Sequence, residues 1–126
     1  MRRAKIRSTL HPSRFMSALL CFFLASAAAW AHHGWSSYDA DKVMKFDAAL
    51  AAVRYRNPHA EVEVDHEDKR WLVILAPISR MESRGLPGDA LKTGKTVTIE
   101  GYPRSDGTAE LRAERITVDG KTVELR

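Results

Sequence analysis

The chain has 126 residues, with 20 basic and 16 acidic side chains, a formal charge of +4 and one cysteine. A chain of this length closes one hydrophobic core and hardly two, and a lone Cys21 excludes a disulfide framework. The basic surplus carries no argument for nucleic-acid binding, because it is concentrated at the start of the chain.

Residues 1–14 hold Arg2, Arg3, Lys5, Arg7 and Arg14 and no acid, and residues 15–29, FMSALLCFFLASAAA, are almost wholly apolar. A spanning helix needs about 20 apolar residues, and this shorter run ends in small residues of the Ala-x-Ala kind. The pattern predicts a cleaved export signal over residues 1–31. The alternative is an uncleaved anchor. A lipoprotein is disfavoured because "ALL" before Cys21 lacks the small residue that lipid attachment needs. Export places the protein in the periplasm or outside the cell, with membrane contact only through the signal before cleavage.

Cutting after Ala31 leaves residues 32–126, 95 in number, with 15 basic and 16 acidic side chains and no cysteine. The mature charge is then −1. The high isoelectric point belongs to the signal, so nucleic acid is not an expected partner, and no thiol nucleophile remains.

In chain order, residues 32–42 form an N-terminal arm. Residues 45–55, KFDAALAAVRY, are ambiguous: Phe46, Ala49, Leu50 and Val53 fall at helical spacing, while the flanking Val43 and Tyr55 favour a strand. In residues 60–65, AEVEVD, apolar and acidic side chains alternate, as in a half-buried strand. A polar turn, HEDK, leads to RWLVILA, a second strand paired to it as a hairpin.

Residues 77–88, PISRMESRGLPG, spell a short helix. Pro77 suits its first turn, Gly85 the position just past its end, and Pro87 blocks continuation. TVTIEGYPR and ELRAERITV are further strands, and Asp119-Gly120 is a tight-hairpin pair before KTVEL. With residues 46–55 as a strand, this order is that of an OB-fold. The expectation is a mainly β, small, partly open barrel of five to six strands with one short helix between strands three and four. With those residues helical, it becomes an α+β sheet.

The segments AHHGWSSYD, RYRNPHAEVEV, APISRMESRGL and LKTGKTVTIEGYPRSDGTAELRAERITVDG together resemble a bacterial domain-of-unknown-function family of small exported proteins. Its members look like OB-type barrels that begin with a His-His pair and carry an Asn-Pro-His segment. The resemblance covers essentially all of residues 32–126 and implies a strand at residues 46–55. It implies no activity.

Histidines carry the first functional expectation. If the signal is cut after Ala31, His32 becomes the first residue, and its α-amine and imidazole can chelate one ion together. His33 or His59 would supply a further nitrogen, His59 being held by the adjoining Asn57-Pro58 step. If the cut follows Ala29, the terminus is Trp30-Ala31-His32, whose amine, two amides and imidazole form a planar four-nitrogen set suited to Cu(II). Either route predicts a copper-type metal bound through His32, His33 and His59. The ordinary alternatives are a solvated terminus for His32 and His33, and a turn residue bonded to backbone for His59. His66, beside Asp65, Glu67 and Asp68, fits a solvated turn, and Glu61 with Glu63 fits the wet face of a sheet.

A second expectation, from a different class, is a metal-free interaction module that binds a protein, peptide or glycan in the cell envelope. Trp35, Tyr55, Arg56 and Asn57 are its candidate surface. Of the aromatics, Trp35, Tyr38, Tyr55, Trp71 and Tyr102 are available to line a groove, with Trp71 better suited to the core. No Gly-x-Ser-x-Gly elbow, phosphate loop or His-Glu-x-x-His is present, and Ser36 and Ser37 lack partners for a triad. No catalytic residue is assigned. An enzyme would have to rely on bound copper for redox chemistry, which ranks below binding.

Overall fold

Phe46, Ala48 and Leu50 are buried, while Lys45, Asp47 and Ala49 between them are exposed, so the first part of KFDAALAAVRY alternates with the period of a strand. A computed structural model describes residues 34–126; the segment expected to be an export signal, residues 1–31, and the pair His32 and His33 lie outside the described residues. The ambiguous segment is β1, Met44–Arg54.

β1 changes partner along its length. Met44 to Ala49 pair antiparallel with β4, Thr96–Pro103, and Leu50 to Arg54 pair antiparallel with β2, Glu61–His66. An irregularity between Leu50 and Ala52 marks the switch. Extra residues of this kind bend a strand and raise its twist, which is what lets one strand serve two sides of a small barrel. Ala51, Ala52 and Val53 are all half-buried there, and this is why the alternation fades.

β2 forms a hairpin with β3, Lys69–Ile74, through Glu67 and Asp68, both at positive φ (49° and 58°). β5, Glu110–Val118, lies antiparallel to β4 and makes a short parallel pairing with β3, in which Leu72, Val73 and Ile74 face Glu110, Leu111 and Arg112. The ring β1–β2–β3–β5–β4 is thereby closed rather than partly open. Closure pairs backbone groups that an open edge would leave bare. β6, Lys121–Glu124, extends the sheet beyond β5 after the Asp119-Gly120 turn, whose φ values of 50° and 78° suit a tight hairpin.

The helix between strands three and four is α1, Ile78–Ser83, with Pro77 as its N-cap. Gly85, at φ 79°, ends it: the Leu86 N–H donates to the Met81 carbonyl and the Gly85 N–H to that of Glu82. This is the Schellman arrangement, and buried Met81 and Leu86 supply the accompanying apolar pair.

Inside the barrel, Leu50, Val62, Val64, Val73, Leu75, Ile99, Leu111 and Ile116 are essentially inaccessible, and among the described residues no polar side chain is buried with them. Each such aliphatic group contributes about 1.5–3 kcal/mol by leaving water.

Gly101 serves the closure directly. It stands where the β4–β5 register shifts, and an added Cβ would meet the Arg112 carbonyl oxygen and lie 2.7 Å from the Ala113 Cα. Only hydrogen fits between these backbones.

Candidate functional site

The N-terminal arm is tied to the outside of the barrel. Trp35–Ser37 make one 3-10 turn, Tyr38 bridges to Arg104, and the Ser105 N–H donates to the Ser37 carbonyl. Tyr38 is buried, and its hydroxyl donates to a Glu110 carboxylate oxygen. Burial first, then that hydrogen bond, pushes the phenol up to about 12. An anchored Tyr38 in turn fixes Trp35, a residue that stays 44% exposed.

Around this indole the strands bring aromatic and cationic groups together. The Tyr102 ring stands edge-on, with centroids 6.1 Å apart at 74°. The guanidinium carbon of Arg112 lies 4.5 Å from the Trp35 centroid and 5.8 Å from that of Tyr38, and that of Arg126 lies 5.0 Å from Trp35. All three distances suit a cation over a ring face. The Tyr102 hydroxyl donates to Glu114 at 2.9 Å. Trp35, Tyr38, Ala40, Tyr102, Glu114 and Arg126 enclose a groove of about 290 Å³.

Strand register explains the convergence. Arg112 on β5 sits between Ile74 of β3 and Tyr102 of β4, so barrel closure puts its side chain at the centre of an outward row. Within ELRAERITV, Leu111 and Ala113 face the core, and half-buried Arg112 and Glu114 alternate with them on the outer face.

Two guanidiniums beside one ring repel each other. At the reach set by their shared indole the cost is on the order of 1–2 kcal/mol in a protein environment, less where salt screens it. Burial, with Arg112 and Arg80 adding to it, lowers Arg126 to about 10. The ε-nitrogens of Arg112 and Arg126 are buried without an acceptor among the described residues. Trp71, packed against the core as expected, also keeps its indole nitrogen without one.

His59 belongs to the same neighbourhood. Burial, then the charges of Arg112 and Arg126, holds its imidazole below the usual 6.5, which keeps it neutral at neutral pH. No hydrogen bond from its ring to the backbone is found among the described residues. His59 follows a cis Asn57-Pro58 bond.

The other sequence candidates divide. Trp35, Tyr38 and Tyr102 do line a groove. Tyr55 does not line it: its hydroxyl donates to the Leu86 carbonyl at 2.9 Å, and its ring packs over Gly88. Arg56 and Asn57 are exposed on the β1–β2 loop and line no part of it. His66 is not in a solvated turn; it ends β2 and stacks on Phe46, with centroids 3.9 Å apart. Glu61 and Glu63 are engaged by Arg54 at 2.8 Å and Arg70 at 3.5 Å rather than left as a cation face.

Among the described residues no group of three or more His, Cys, Asp or Glu side chains is placed to hold a metal. Arg112, Glu114 and Arg126 were not singled out by sequence reasoning. The outward alternation of Arg112 and Glu114 in ELRAERITV was the available signal.

No curated protein matches the chain. A family described as a family of unknown function, DUF6152, matches residues 19–112, most of the chain, including all of β1 to β4 and the start of β5 through Arg112. The chain belongs to the DUF6152 family.

Proposed function

We propose that the protein is an exported, periplasmic binding domain whose ligand seats in the groove beside Trp35, and that it binds rather than catalyses. The observation that carries this reading is a half-exposed tryptophan, held on an anchored turn, with Tyr102 and two guanidiniums already arranged around it. Rigid aromatic surface with a few polar groups at its rim is the usual make-up of a small-ligand or side-chain site. The groove volume of about 290 Å³ matches one such group rather than a long chain. Export is supported by the sequence of residues 1–31.

The test is a ¹⁵N-detected titration of the secreted form, its first residue determined by mass, against peptides, oligosaccharides and small organic compounds. Ligands that bind are expected to shift the Trp35 indole and the backbone amides of Tyr38 and Tyr102, and to lose affinity in Trp35→Ala. Ligands that map elsewhere on the barrel, with Trp35→Ala unaffected, overturn the reading.

A second reading is copper held by His32, His33, the terminal amine and His59. In its favour, His59 is kept neutral, as a ligand must be. Against it, the charges of Arg112 and Arg126 that lower His59 also oppose a dication. Cu(II) titration of the secreted form under electron paramagnetic resonance separates the cases. A one-to-one, nitrogen-rich axial signal that changes in His59→Ala supports a built site. A signal indifferent to that substitution leaves only a terminal chelate.

A further inference from the structure

We propose that the corner formed by Arg112 and Arg126 binds the carboxylate of a small organic acid whose flat or apolar body lies in the groove against Trp35 and Tyr102. The proposal rests on the groove being a ligand site and names the chemistry of its ligand.

Among the described residues, Arg80 and Arg84 donate to backbone oxygens of residues 124–126, whereas other arginines meet carboxylates. Arg54, Arg70, Arg104 and Arg115 each face a carboxylate: Glu61 at 2.8 Å, Asp65 at 2.5 Å, Asp106 at 2.9 Å and Glu124 at 2.9 Å. Arg112 and Arg126 face none among the described residues. Arg126 reaches only the backbone oxygens of Leu125 and Ile74, at 3.2 and 3.5 Å, and Arg112 has no acceptor among the described residues. Arg80, close enough to add to the field, donates to the Leu125 carbonyl.

Nearby acids are otherwise engaged. Glu110 takes Tyr38 and Arg104, Glu61 takes Arg54, and Glu114 takes the Tyr102 hydroxyl. A guanidinium fork set beside a like charge, with its ε-nitrogen unpartnered and no carboxylate salt-bridged to it among the described residues, is matched by an oxyanion from outside.

Carboxylate is the better fit than phosphate for two reasons. Glu114 lines the groove, and its charge opposes a dianion more than a monoanion. The planar guanidinium also meets a planar carboxylate edge to edge through two bonds. Trp35 and Tyr102, which line the groove with their rings at 74° to each other, then offer aromatic surface to the ligand's body.

The probes are benzoate, its neutral isostere benzamide, and inorganic phosphate, titrated into the secreted protein at constant ionic strength in chloride. The readouts are the Trp35 indole N–H and the Nε–H signals of Arg112 and Arg126. Benzoate is expected to saturate these shifts at least tenfold more tightly than benzamide and more tightly than phosphate. Arg126→Gln and Arg112→Gln are each expected to weaken benzoate tenfold or more and to leave benzamide unchanged. Arg126 follows the last strand, so its variant keeps the test available should Arg112→Gln not fold.

Equal affinity for benzamide and benzoate overturns the proposal while leaving the groove as a site. Tighter phosphate binding overturns the choice of carboxylate. Unchanged benzoate affinity in the arginine variants, or shifts that never saturate, overturns it as well. If, in addition, nothing in the broader panel moves Trp35, the binding reading itself fails.

Discussion

The inside of the barrel and the corner outside it solve opposite problems. Within, Leu111, Ile116, Ile99 and Val73 leave no access to water, and no polar side chain is buried with them among the described residues. A few ångströms away on the same strand, Arg112 carries a full charge, shares Trp35 with a second arginine, and has a buried nitrogen without an acceptor. Apart from the Trp71 indole nitrogen, the interior is satisfied by the protein alone; the corner is not. Natural folds tolerate such imbalance where a ligand completes it, since a site optimised for its own stability would have little left to offer.

Substitutions sharpen that contrast. Leu111→Ala, which opens a hole beneath β5, is expected to cost about 2–5 kcal/mol in denaturant unfolding, without a change in the denaturant slope. Next comes Gly101→Ala. The new methyl is driven into the Arg112 carbonyl and Ala113, backbone atoms that cannot swing aside, and a loss of about 1–3 kcal/mol follows.

Tyr38 links the two regions. Its phenol stands at about 12 when folded and at 10 when unfolded, so the stability it contributes is complete below pH 10 and is lost as pH climbs toward 12. Tyr38→Phe should remove this alkaline loss, on the order of 1 kcal/mol once solvent screening is allowed for. The check is the difference in melting temperature between the two proteins at pH 8 and pH 11.

A smaller effect of the opposite sense concerns His59. Its folded value is depressed below 6.5, so the fold is fully favoured above pH 6.5. It loses ground as acid protonates the unfolded chain first, until pH passes below the folded value. His59→Gln is expected to flatten that acid limb, and wild type that shows no extra loss below pH 6.5 would contradict the buried, arginine-flanked setting. The smallest change is predicted where the charges crowd most. Arg126→Gln relieves repulsion beside Trp35 while giving up packing, and its stability should stay within about 0.5 kcal/mol of wild type. A loss comparable to that of Leu111→Ala would show that the corner is part of the core after all.

Much of the architecture could be read before the fold was seen. AEVEVD and TVTIEGYPR announce strands because alternation needs only neighbours two residues apart. Asp119-Gly120, and Pro77 with Gly85, announce their turn and helix ends because local backbone angles select those residues. KFDAALAAVRY resisted for a physical reason. Alanine favours helix and packs in a strand nearly as well, and the irregularity at Leu50 to Ala52 interrupts the pattern that would have decided it.

The site was legible only in part. Trp35, Tyr38 and Tyr102 were visible as aromatics, but nothing in the sequence separates them from Tyr55, which the fold sends to Leu86. Arg112 and Arg126 look like any solvated arginines until the barrel closes. His59 drew notice for its Asn-Pro neighbour, whereas its cationic surroundings come from elements far along the chain.

Sequence alone therefore determined the pieces: which faces are apolar and where the chain turns. Those outcomes depend on residues within a few positions of each other. Tertiary structure decided the company that Trp35 keeps. The parallel pairing of Ile74 with Arg112 joins strands separated by α1 and β4, and it sets the outward row on which the arginines, the tyrosines and Glu114 meet. Charge acts through space rather than along the chain, so two guanidiniums beside one ring, offset only in part by Glu114, exist only once closure has brought them there.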